Sequence, residues 1–115
     1  MKIKHPERFE GVNKDLVAAV QLLKLPFDIL IVCGKRSLEE QEELFKDRKS
    51  KVHGPNAPHV LGHALDIVPL DAVGNLDWND RNKFNRIRDE LSKLIKLTPA
   101  IVWDANHFEI KVESK

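Results

Sequence analysis

The chain has 115 residues, 42% of them hydrophobic, with 19 basic side chains against 18 acidic. That length fits one domain around a single core, residues 1–115. The net charge of +1 excludes the strong, sequence-independent attraction of a nucleic-acid binder. One cysteine permits no internal disulfide and no CxxC zinc ribbon. No apolar run has membrane-spanning length, and the charged N-terminus has no signal-peptide core, so a protein made in the cytoplasm, without membrane insertion, is expected; a monomer is the separate expectation for its assembly.

Residues 1–11 are polar and read as a leading loop. From Asn13, an N-cap type, Leu16, Val17, Val20 and Leu23 recur at helical spacing until Pro26, which predicts a helix over 13–24. Asp28–Gly34 is apolar and β-branched, a buried strand in which Cys33 is expected to be an inert, buried thiol. Ser37 and Glu40 have capping-box spacing and open a helix over 38–48, with Leu38, Gln41, Leu44 and Phe45 along one side. The basic run Lys46–Lys51 reads as solvated surface, and Gly54, Pro55, Asn56 and Pro58 make 49–60 a loop.

His63–Val68 reads as a strand ending at Pro69. The Asp71–Asp80 stretch is a turn-rich connector whose acidic residues do not match a calcium loop. A third helix is predicted over 79–96, with Phe84, Ile87, Leu91, Leu94 and Ile95 inward, and Pro99 breaks it. Ala100–Trp103 and His107–Val112 read as two last strands joined by a turn at 104–106. Helices and strands mix without regular βαβ alternation, so the expected class is α+β, a small antiparallel sheet with about three helices.

Two segments carry chemistry. The first runs from His59 to Asp66 and the second from Asp104 to Glu109. Two histidines and a carboxylate fill three corners of a catalytic zinc site and leave the fourth for solvent. His59, Asp66 and His107 are therefore candidate Zn²⁺ ligands, with Asp104 as general base toward the water. Strand alternation puts Ala64, Asp66 and Val68 on one face, and His107 and Glu109 on one face opposite Phe108 and Ile110. Gly62 permits the tight backbone that folds His59 back over Asp66. Either motif alone is weak. Glu109 reads equally as a surface carboxylate or as a group orienting a ligand histidine, and Asp66 as the last polar residue of a strand.

Three blocks occur in order: Gly34-Lys35-Arg36-Ser37 with Glu40-Gln41, then His59 through Ile67, then Trp103 through Glu109. Together they resemble the zinc peptidase family of D-alanyl-D-alanine carboxypeptidases and L-alanyl-D-glutamate endopeptidases, especially its short phage endolysins, from about Leu16 to Ile110. The resemblance implies a hedgehog/D-Ala-D-Ala-peptidase-like fold. It implies zinc ligation by His59, Asp66 and His107, Asp104 as catalytic base, and Arg36 as a substrate contact supporting the oxyanion. His63 falls at a variable position, structural or substrate-facing.

The sequence departs from the pattern at Ala57, Cys33 and Lys35, where serine, serine and an aromatic are usual, and it lacks a Gly-Gly-Asp-Trp stretch before the last block. The implied activity is L-alanyl-D-glutamate cleavage in peptidoglycan stem peptides, by a lysin that reaches the cell wall after release from the cytoplasm. The alternatives are D-Ala-D-Ala carboxypeptidase or dipeptidase activity, or a zinc-holding domain that binds wall peptides without cutting them.

Overall fold

The computed structural model describes residues 1–47, 57–101 and 104–112. A four-stranded sheet, ordered β1-β2-β3-β4, runs through it: β1 Ile3–Lys4, β2 Ile29–Cys33, β3 Ala64–Pro69 and β4 His107–Glu109. β1 pairs parallel with β2, and the other two pairings are antiparallel. The helices are α1 Lys14–Gln21, α2 Leu38–Lys46, the single turn α3 Pro58–Leu61, and α4 Arg81–Ser92. The class is α+β, and the sheet is mostly antiparallel rather than wholly so.

Asn13 caps α1 as expected, its side chain accepting from the Asp15 and Leu16 amides. The helix stops at Gln21, short of the predicted 24, because Leu23 bonds back to Val20 and tightens the last turn. Ser37 and Glu40 form the full capping box of α2. Asp80 caps α4, which buries Phe84, Ile87 and Leu91. That helix ends at Ser92, so Leu94 is exposed while Ile95 still packs on the core. The leading residues are not a loop: Ile3–Lys4 is a strand and Pro6–Phe9 a 3₁₀ turn that buries Phe9.

All six residues of β3 are buried. Leu65 and Ile67 join Ile29, Ile31 and Phe108 in the core, beneath Leu16, Ala19 and Val20 of α1 and Ile87 and Leu91 of α4. Asp66 therefore lies on the sheet face away from the core, as strand alternation predicted.

The expected 49–60 loop contains α3 at its end, while 48–56, including most of the basic run, fall outside the described residues. Ala100 and Ile101 are not in a strand, and 102–103, which include Trp103, also lie outside them. In the 71–80 connector Asp71 accepts from the amides of Val73 and Asn75, Asp77 pairs with Lys83, and Asp80 caps α4. Those carboxylates hold the turn itself.

Candidate active site

Asp66 is the centre of the polar face. The register of β3 on β4 places it directly opposite His107, and Ala64 opposite Glu109. Facing residues of an antiparallel pair project to the same side, so Asp66 and His107 meet. His59 comes from α3, whose last carbonyls are closed off by Gly62 in the left-handed conformation, φ 74°. A Cβ on Gly62 would stand 2.4 Å from the Gly11 carbonyl oxygen, so no other residue fits there.

The donor geometry is compact. Oδ1 of Asp66 lies 3.2 Å from Nε2 of His59 and 3.3 Å from Nδ1 of His107. The two imidazoles meet edge to face, centroids 5.2 Å apart. Nδ1 of His59 lies 2.7 Å from the Gly34 carbonyl oxygen, which can only accept, so that nitrogen carries the proton. In the neutral ring Nε2 would then turn a lone pair toward a carboxylate, so the contact with Asp66 calls for a second proton or a cation. Nε2 of His107 lies 3.0 Å from Oε1 of Glu109, so both of its nitrogens face carboxylates. Glu109 is thus the group that orients a histidine, not a detached surface acid.

The charges of the cluster are mutually dependent. Burial alone would depress the His59 pKa, but hydrogen bonds to Asp66 and Cys33 and the Asp66 charge raise it to about 9. His107 is likewise raised, against burial, by Asp66 and Glu109. Burial would raise Asp66, yet the hydrogen bonds from His107 and His59 hold it well below the usual carboxylate range. Protons, or a cation in their place, are needed where imidazole nitrogens face carboxylate oxygens.

A metal ion meets that need. Nitrogen and oxygen ligands at about 2.0–2.1 Å from a tetrahedral zinc stand about 3.3 Å from each other, close to the 3.2 and 3.3 Å observed here. His59, Asp66 and His107 match zinc in donor type, and each imidazole's spacing to Asp66 matches as well. Among the described residues, the donor atoms that all lie within 4.8 Å of one another are those of Cys33, His59 and Asp66, and His107 joins this group only through its contact with Asp66. Cys33 is partly exposed, not buried in the core as expected.

Arg36 sits against the same carboxylate. Its guanidinium is 3.3 Å from Asp66 Oδ2 and 3.1 Å from Gln41 Oε1, and its backbone amide donates to the His59 carbonyl at 2.9 Å. Gln41 is 2% exposed, held at this point by the turn that Ser37 starts. Arg88 donates from α4 to the His107 carbonyl at 2.7 Å and to that of Thr98 at 3.2 Å. Its guanidinium also lies 4.8 Å from the Phe108 ring centroid, so it ties α4 to β4 behind the histidine.

Asp104 is brought near by the turn that the His107 amide closes on the Asp104 carbonyl at 3.1 Å. It is half-buried and lines a cleft of about 350 Å³ with Trp78, Asn79, Arg81, Phe84, Ala105 and Asn106. Burial, and then the Asp66 charge, raises its pKa. His63 lies apart, on a shallow groove with Pro58, Leu61, Thr98 and Glu109.

The family model for phage L-alanyl-D-glutamate peptidases matches residues 2–110. The chain belongs to this family. The fold is similar to that of a solved structure, the L-Ala D-Glu endopeptidase ChiX of Serratia marcescens. That structure superposes with a TM-score of 0.80 at 21% identity, over 96% of this chain and 90% of the other. Comparison of this peptidase-family chain with curated proteins gives no match.

Proposed function

We propose that this protein is a zinc-dependent L-alanyl-D-glutamate endopeptidase that cuts peptidoglycan stem peptides, with His59, Asp66 and His107 as the metal ligands. The observation that carries this reading is the bracketing of Asp66 Oδ1 by two imidazole nitrogens at 3.2 and 3.3 Å. Family membership supports the bond and the substrate class. No helix among the described residues is long and apolar enough to cross a membrane. Our reading is that the protein is made in the cytoplasm and meets its substrate after release to the wall.

Bound to these ligands, zinc supplies Lewis acidity at the scissile carbonyl and brings a water pKa toward ~7. The remaining work falls to the chain. Asp104, whose raised pKa suits proton exchange, takes the proton from the attacking water and passes it to the leaving amine. Arg36 supplies positive charge to the oxygen that becomes negative at the tetrahedral stage. Gln41 and Asp66 hold its guanidinium in place, and Glu109 and Gly34 hold the two imidazoles.

Digestion of defined murein, with and without a chelator, followed by mass analysis of the products, tests this. New L-alanine carboxyl ends and D-glutamate amino ends that disappear on chelation are expected. Release of terminal D-alanine instead would make the protein a carboxypeptidase, and wall binding without any new ends would make it a non-catalytic binder.

A further inference from the structure

β2 carries an irregularity whose effect falls on one side chain. Ile29, Leu30 and Ile31 pair in register with Pro69, Val68 and Ile67. Continued unchanged, that register would set Val32 opposite Asp66 and turn Cys33 to the other face. The register shifts between Ile31 and Cys33, and Cys33 becomes the partner of Asp66. Asp66 is in turn the partner of His107. Cys33, Asp66 and His107 therefore form one transverse row across three neighbouring strands, all toward the same face, with His59 above it.

The shift is held in place by other groups. The Arg8 guanidinium donates to the carbonyls of Ile31 at 2.9 Å and Val32 at 3.2 Å, on either side of the displaced peptide. Immediately after it, Gly34 passes so close to the 3₁₀ turn that a Cβ there would lie 1.9 Å from the Arg8 carbonyl oxygen. The Gly34 carbonyl is also the acceptor for Nδ1 of His59. The same piece of backbone thus aims the thiol and fixes an imidazole.

We propose that Cys33 is a further protein ligand of the metal, binding as thiolate beside His59 and Asp66. This rests on the zinc reading above. Its support is the group of Cys33, His59 and Asp66 donor atoms within 4.8 Å of one another, together with the row built by the register shift. A metal that took the thiolate as well as two imidazoles and a carboxylate would have the closed arrangement of structural zinc, whereas turnover needs an open corner. The thiolate also turns the site toward softer ions such as cobalt, cadmium and zinc, and away from magnesium or manganese.

Cobalt(II) in place of zinc reads the ligands directly. Cys33 is the only cysteine, so any sulfur signal is its own. The expected result is one cobalt per chain, an intense near-ultraviolet sulfur-to-cobalt charge-transfer band, and slower alkylation of the thiol by iodoacetamide when metal is bound. Cys33→Ser should keep the cobalt and lose the band. Should that variant fail to fold, the band and the alkylation rate of the parent chain still decide. Stoichiometric cobalt without the band, and with an unprotected thiol, overturns the proposal and leaves the three-ligand reading standing. A folded parent that binds no cobalt overturns both.

Discussion

Asp66 and His107 are directly opposed partners across β3 and β4, and Nδ1 of the histidine stands 3.3 Å from Oδ1 of the aspartate. They are 41 residues apart in the chain, so this contact is a product of the sheet rather than of local sequence. On the proposed zinc reading, mutation here acts on metal binding as well as on the reaction.

His107→Ala should lose both bound zinc and activity, since it removes one of the two imidazoles that face Asp66. Metal content after dialysis, measured alongside wall digestion, checks this. Stoichiometric zinc retained by the variant would exclude His107 as a ligand.

Asp104→Asn should keep its zinc and lose about 10²–10⁴-fold in turnover, the usual contribution of a positioned acid–base group. Because burial and the Asp66 charge raise the Asp104 pKa, the active, ionised form accumulates only above the ordinary aspartate range. The acidic limb of the parent pH–rate profile should therefore lie higher than an exposed aspartate would give. Digestion of purified walls by the variant at the parent rate would remove Asp104 from the mechanism.

Arg36→Lys keeps a positive charge but cannot fork between Asp66 and Gln41. A loss of about 10²–10³-fold in kcat is expected, with zinc content unchanged. Steady-state kinetics on a soluble stem peptide, paired with metal analysis, separates this from a loss of ligation.

Without metal, stability should fall as pH rises. The folded-state pKa of His59 is raised from 6.5 to about 9, so its contribution is complete below the lower value and is lost through the upper. That contribution is up to about 3 kcal/mol, and His107 changes in the same direction. Asp66 is depressed, so its contribution is present above its unfolded value of 3.8 and is lost in acid. Thermal melts of chelator-treated protein should peak in weak acid and decline toward about pH 9. Zinc should oppose that decline, because it displaces protons and binds more tightly as pH rises. A metal-free midpoint that rises across the same interval would show that the histidines do not share protons with Asp66.

Gly34→Ala should cost about 2–4 kcal/mol, since its Cβ would collide with the Arg8 carbonyl oxygen at 1.9 Å. Chemical denaturation measures the loss. A variant as stable as the parent would show that the 3₁₀ turn does not press on β2.

The local signals in the sequence were sufficient where one side chain decides the outcome. Asn13 and the Ser37–Glu40 pair mark helix starts because a cap is a contact between neighbours. Gly62 marks the turn after His59 because only glycine fits a left-handed position pressed against Gly11. Alternation placed Asp66 and His107 on polar faces and Phe108 in the core. What could not be read depends on partners distant in sequence. Two residues of β1 have no periodicity and exist because β2 lies alongside. Cys33 sits in an apolar run that reads as core, and only a register shift anchored by Arg8 turns it to the site. Arg88 has no local mark of its role, since the carbonyl it serves belongs to a strand 19 residues later.

The pairing of β4 with β3 also gives the protein a timetable. His59 and Asp66 lie in one short stretch, but the second imidazole joins them only when a strand near the end of the described chain is laid against β3. During synthesis, a nascent polypeptide therefore exposes an incomplete cluster until His107 has emerged from the ribosome. A product terminated before β4 lacks the second imidazole and should be inert toward the wall.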